Sequence, residues 1–152
     1  MVPMDYSRAN LLTELMASAG FLAVNAIEAS WSDEQWSPIT ILGHVSDVDE
    51  QVWHARIHLM VNAFHEGLPT PSFSWWEPDT AATQLKYRDY SLEQATARLF
   101  TSRSAIIETL SNLSDDDWNA SATHSTFGKL TLPLLPEKIL LHDQEHLESL
   151  QP

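Results

Sequence analysis

Cysteine is absent from all 152 residues. That excludes disulfides, thiolate metal ligands and cysteine nucleophiles, and it fits a reducing compartment, so a cytoplasmic protein is expected. Any transition-metal site must then be built from His, Asp or Glu. Positive charge is scarce as well: 8 Lys and Arg stand against 21 Asp and Glu, a formal net charge of -13. Such a chain repels a phosphate backbone and an anionic membrane face alike, which argues against nucleic-acid and membrane partners. No apolar run reads as long enough to cross a bilayer. The start, MVPMDYSRANLLTELMASAG, lacks the charged segment leading into an apolar stretch that marks a secretory signal. A chain of this length is expected to form one domain over residues 1–152 around one hydrophobic core.

Glycine is rare too, with 4 in the chain, and apolar residues recur at three- and four-residue spacing, the period of a helix. The pattern predicts an all-α protein. A first helix runs from about Tyr6 to Ala29 on a stripe of Leu11, Leu12, Leu15, Met16, Leu22, Val24 and Ile27. The second opens at Ser37 and Pro38, an N-cap followed by proline at the first helical position, and stops at Gly67. From Leu68 to Tyr90 prolines accumulate and periodicity lapses, as in a long connection. Ser91 and Gln94 form a capping-box pattern that opens a third helix reaching about Leu113. SDDDWNASATHSTFGK then reads as a loop, and a fourth helix begins between Thr131 and Pro136 and runs to the end. Short, long and medium connections in that order predict a four-helix bundle, up-down-down-up, with a long crossover between helices 2 and 3. Helices 2 and 4 are then antiparallel.

His142 and His146, in HDQEH, lie one helical turn apart, so their side chains leave one face about 6 Å apart along the axis. That spacing lets two imidazoles reach one ion, but it is also common on solvated helix faces. A third ligand decides the matter. His44 sits two turns into helix 2, level with the pair if helices 2 and 4 are antiparallel. His58, further up helix 2 by about 21 Å, cannot share an ion with His44. His54 and His58 repeat the four-residue spacing, but their level on helix 4 falls near Pro133 to Leu135, where no ligand stands, so they read as polar helix residues. His65 and His124 lie at a helix end and in a loop, from which His124 can approach a site. Three neutral imidazoles on a divalent ion leave at least one position for water or substrate. Asp47, Asp143 and Glu145 are candidates to orient imidazoles or move protons, although acids at such positions are most simply solvated. HDQEH also matches the H-x-x-E-H peptidase signature with Glu145 as base, but that chemistry needs another ligand well downstream, and a peptidase is not expected.

WSPITILGHVSDVDEQVWHARI together with STFGKLTLPLLPEKILLHDQEHLESL resembles the DinB/YfiT-like superfamily of metal-binding four-helix bundles, in which a histidine in a GH context on helix 2 joins an HxxxH pair on helix 4. The resemblance implies that His44, His142 and His146 hold one divalent ion, zinc or nickel. It also implies that the connection between helices 2 and 3 is the family's crossover. Relatives with assigned functions include metal-dependent transferases and isomerases that use a low-molecular-weight thiol such as mycothiol or bacillithiol. The mycothiol-dependent isomerases carry glutamate where this chain has His142. A homodimer is expected because the superfamily commonly pairs, and the end at Pro152 fits the minimal one-domain form.

Among the aromatics, Trp36 and Trp53 are expected to pack against the bundle and Trp118 to anchor the last loop. Phe73, Trp75 and Trp76 pin the long connection or wall a substrate pocket. Asp115 to Asp117 reads as a solvated turn. Three functions compete on these residues: a metal-dependent enzyme activating a thiol or water for transfer or hydrolysis, with Asp47 and Glu145 as its proton-handling candidates; a non-catalytic binder of metal or a small ligand; and a structural bundle.

Overall fold

Helix α1 spans Tyr6–Glu28 in a computed structural model that describes residues 6–151. Residues 1–5, which open the stretch read for a secretory signal, and Pro152 at the end lie outside the described residues. Leu15, Ala19, Leu22 and Ala26 recur every three or four residues on α1 and are all but fully buried. Val24 and Ile27, expected on the same stripe, are 63% and 70% exposed. Each residue turns the helix by about 100°, so Val24 points well away from Leu22. Ser7–Glu28 is also long and apolar enough, by length and composition, to cross a membrane, which the sequence reading had not expected. Its inner side is taken up by the bundle core.

The second rod of the bundle is one helical run in three parts: α2 over Pro38–Val48, a π-helical turn over Asp49–His54, and α3 over Ala55–Glu66. Ser37 caps it by accepting a hydrogen bond from the Thr40 backbone N–H, and Gly67 ends it at φ 64°, a left-handed position that glycine takes without a steric penalty. The third rod, α5, spans Leu92–Ser111 and opens with the Ser91–Gln94 capping box. The fourth, α6, spans Leu134–Leu150, with Pro133 as its N-cap. Pro136 falls in the first turn, where a backbone N–H has no helical partner in any case.

Two segments expected to lack structure carry it. The long connection holds a two-residue strand β1, Ser72–Phe73, and a helix α4, Thr80–Tyr87, capped by Asp79. The last loop folds into a 3-10 turn, Asp116–Asn119, and a hairpin of β2, Ser121–His124, and β3, Gly128–Thr131. Strand β1 pairs parallel to β2 and β2 antiparallel to β3, so the sheet ties the connection to the last loop. Asp117 is likewise buried and bonded to His65 and Ser114, against the expectation of a solvated turn.

Side-chain contacts set the register of the rods. Ser46 meets the Arg98 carbonyl, Asp49 meets Arg103, and His54 meets Thr109, so α2–α3 and α5 run in the same direction. The core divides into two apolar clusters, one around Leu15, Val52, Ile106 and Ile139, the other around Leu22, Val45, Leu99 and Leu150. Near the junction of the two stand Asp49, Arg103 and Asp143, all buried, and the half-buried Ser18, a polar layer with one residue from each rod. All five N–H donors of Arg103 are used: three go to Asp143 and the Leu15 carbonyl at 2.7–2.9 Å and two to Asp49 at 3.1 and 3.2 Å. Ser18 Oγ donates to Asp143 at 2.7 Å. Burial opposes the charge of Arg103, but the hydrogen bonds and charges of Asp143 and Asp49 outweigh it and keep the guanidinium protonated.

Candidate metal centre

His44 comes from α2, His142 and His146 from α6, and one ring nitrogen of each lies within 4.8 Å of the other two. The ring centroids are 5.3 Å apart for His44 and His142, 4.8 Å for His44 and His146, and 4.6 Å for the α6 pair. Gly43 lets α2 come this close to α4. A Cβ there would stand 2.5 Å from the Tyr87 ring, so the glycine before His44 is required by the phenol packed on it.

The triad is dry. Trp36 and Trp76 flank the His44 ring at 4.9 and 6.3 Å, and Trp53 lies 6.3 Å from His142. Burial lowers all three imidazole pKa values, that of His44 to about 4 and that of His142 to about 3. The neighbouring histidines add to the shifts of His44 and His142, while Asp47 and Asp143 work against those of His44 and His146. At neutral pH each ring is therefore uncharged and offers a lone pair.

Several observations fit a metal ion. The Nε2 atoms of His142 and His146 face each other at 3.1 Å. Two nitrogens sharing a tetrahedral zinc at bond lengths of about 2.0–2.1 Å stand roughly 3.3 Å apart. The buried side-chain polar atoms without a partner, among the described residues, are His44 Nδ1 and the indole nitrogens of Trp36 and Trp53, all in this cluster. Of these only the imidazole nitrogen can take a cation as its partner, the indole N–H groups being donors. Three neutral imidazoles form a borderline donor set suited to zinc, nickel and similar ions.

The triad opens onto a cavity of about 480 Å³ lined by His44 and His142, within the range of small-molecule sites. Trp75 and Trp76 wall it together with Phe127 from the turn of the hairpin, so the small sheet holds aromatic rings over the histidines. His124, named above only as able to approach from the last loop, ends β2 and lines the same cavity. Glu145 lines the rim and is exposed. Asp47 is buried rather than solvated, and its hydrogen bonds come from Lys86, Tyr87 and Arg98 rather than from an imidazole. Asp143 is likewise buried, on Arg103. His54 and His58 stack at 4.4 Å, and His54 meets Thr109 at 2.8 Å. No third ligand joins that pair among the described residues. Arg56 and Lys138, which also line the cavity, escaped the sequence reading. Lys138 sits four residues before His142, which was a usable signal.

The family model of the DinB superfamily matches residues 9–150. Among solved structures, YfiT from Bacillus subtilis, described as a probable metal-dependent hydrolase with an unusual four-helix bundle topology, aligns with a TM-score of 0.68 at 15% identity, covering 98% of this chain and 88% of that one. At that identity the likeness shows the four-helix fold. No curated protein matches the sequence.

Proposed function

This chain belongs to the DinB superfamily, and on that premise we propose that it is a metal-dependent enzyme that activates a low-molecular-weight thiol or water for transfer to, or hydrolysis of, a small molecule. His44, His142 and His146 would hold the ion, zinc or nickel. The observation that carries this reading is the convergence of three uncharged imidazoles, one from α2 and two from α6, with His44 and His142 on the wall of a cavity large enough for a small molecule.

A divalent ion held by three imidazoles supplies Lewis acidity and keeps an exchangeable position for the reacting partner. The chain's own residues do the rest. Trp53 and Trp76 pack beside His142 and His44 and reduce their contact with water, which strengthens charge interactions there. Glu145, three residues after His142 and exposed at the cavity rim, would accept a proton from an entering thiol or water and pass it to solvent. Asp47 fixes Tyr87 and Lys86 of α4, and through Tyr87 the seat of Gly43 and His44.

The family premise carries the expected homodimer, for which the exposed stripe of Phe21, Val24 and Ile27 on α1 supplies an apolar face. The enzyme reading is tested by incubating metal-loaded protein with a panel of small thiols paired with electrophiles, and with esters and amides in water. Turnover above the protein-free rate that disappears in His44→Ala supports it. A fully loaded protein that accelerates none of these reactions is a binding protein instead.

A further inference from the structure

In a chain with 21 acidic residues a cation without a carboxylate partner is unusual. Arg8, Lys86, Arg88, Arg98 and Arg103 each form an ion pair. Arg56, Lys129 and Lys138 form none among the described residues. Two of those three, Arg56 and Lys138, line the cavity beside the triad, while Lys129 is exposed on β3.

Both cavity cations are held in place by uncharged groups. Arg56 donates through Nη2 to the Ser74 carbonyl at 2.8 Å and lies 5.0 Å from the Phe73 ring centroid, leaving Nε and Nη1 without a hydrogen-bond partner among the described residues. Lys138 Nζ stands 3.6 Å from the Phe127 ring centroid. His124 lies between the two in influence. Its Nδ1 accepts from the backbone N–H groups of Thr126 and Phe127, and its pKa is lowered by burial and then by the charges of Arg56 and Lys138. Neither cavity acid forms an ion pair with this corner among the described residues: Glu77 accepts from the Trp75 indole, and Glu145 is exposed at the rim.

We infer that the corner formed by Arg56 and Lys138 binds an oxyanion, the carboxylate or phosphate group of the small molecule whose reacting end meets the histidines. The inference rests on reading the cavity as the substrate site. A guanidinium fork with free donors suits two oxygens of one planar group, and an ammonium adds a point charge beside it. Half-buried cations kept clear of carboxylates leave a positive spot within a molecule of net charge -13, so an anion repelled by the rest of the surface finds one place to bind. Lys138 and His142 are one turn apart on α6 and line the same cavity, so one small molecule can reach both.

The test measures binding of inorganic phosphate, propionate and neutral propionamide by calorimetry and by quenching of the cavity tryptophans, in metal-loaded and in chelator-treated full-length protein. Phosphate or propionate is expected to bind at least tenfold more tightly than propionamide, and whichever binds better identifies the group. Arg56→Gln and Lys138→Gln should each weaken anion binding about tenfold, with Lys129→Gln unchanged. Lys138→Gln, which removes no backbone hydrogen bond, guards against a folding effect of the Arg56 change. Anion binding equal to that of propionamide, or insensitive to both substitutions, overturns the inference. Anion binding that persists without metal separates this result from the metal reading, since a protein that takes up no ion but binds phosphate through Arg56 fails only the latter.

Discussion

Arg103 Nη1 donates to Asp143 at 2.7 Å inside the bundle, one residue beyond the ligand candidate His142. This pair fixes the height of α6 against α5, and Asp49 on the adjoining edge of the guanidinium fixes the second rod in the same layer. The register that brings His44 level with His142 is thus set from within the core.

Removing the guanidinium tests that claim. Arg103→Met leaves Asp49 and Asp143, each 1% exposed, without a counter-charge, and should cost roughly 3–5 kcal/mol. Arg103→Lys should recover little, because an ammonium cannot supply five donors in a planar fork. Urea unfolding measures both. A loss below about 1 kcal/mol in Arg103→Met contradicts the account.

Much of this arrangement was legible before the structure. The limits of the second rod and the start of α5 follow from local chemistry at Ser37, Gly67, Ser91 and Gln94, and local chemistry is what a sequence displays directly. His44, His142 and His146 could be matched because helical rise converts spacing into height. Arg103 was not legible. It occupies a polar slot in the α5 pattern, and its burial is decided by carboxylates from two other rods. The π-helical turn over Asp49–His54 has no periodic signature of its own. Strands of two and four residues are too short to display alternation, so the sheet that carries the aromatic wall was read as loop.

Gly43 offers a second test. Its missing side chain leaves room for the Tyr87 ring, whose hydroxyl donates to Asp47 at 2.6 Å. Gly43→Ala should destabilise by about 1–3 kcal/mol through overpacking. The penalty should shrink in a Tyr87→Leu background, where no ring meets the new methyl. Equal penalties in the two backgrounds would show that the ring is not the cause.

Acid should loosen the metal-free protein. In the unfolded chain the imidazoles of His44 and His142 take up protons below about pH 6.5. In the fold they refuse them until about pH 4 and about pH 3. The unfolded state therefore binds more protons across this window, and stability falls as the pH is lowered through it, by about 1.4 kcal/mol per pH unit for each imidazole. Asp49, pushed up to about 6 by burial, acts in the opposite sense between about pH 4 and 6, but it is one group against two. Unfolding midpoints of chelator-treated protein from pH 7 to 5 should decline, and His44→Gln should flatten the slope. Midpoints that rise toward pH 5 contradict the account.

The most direct measurement is metal content by elemental analysis of protein purified without an affinity tag, for the native chain and for His44→Ala, His142→Ala and His146→Ala, with His58→Ala as control. The account predicts one divalent ion per chain in the native protein and the His58 control, and a loss of most of it in each triad variant. A folded native protein with no bound ion after exposure to zinc and nickel, or triad variants that retain the full complement, would contradict it.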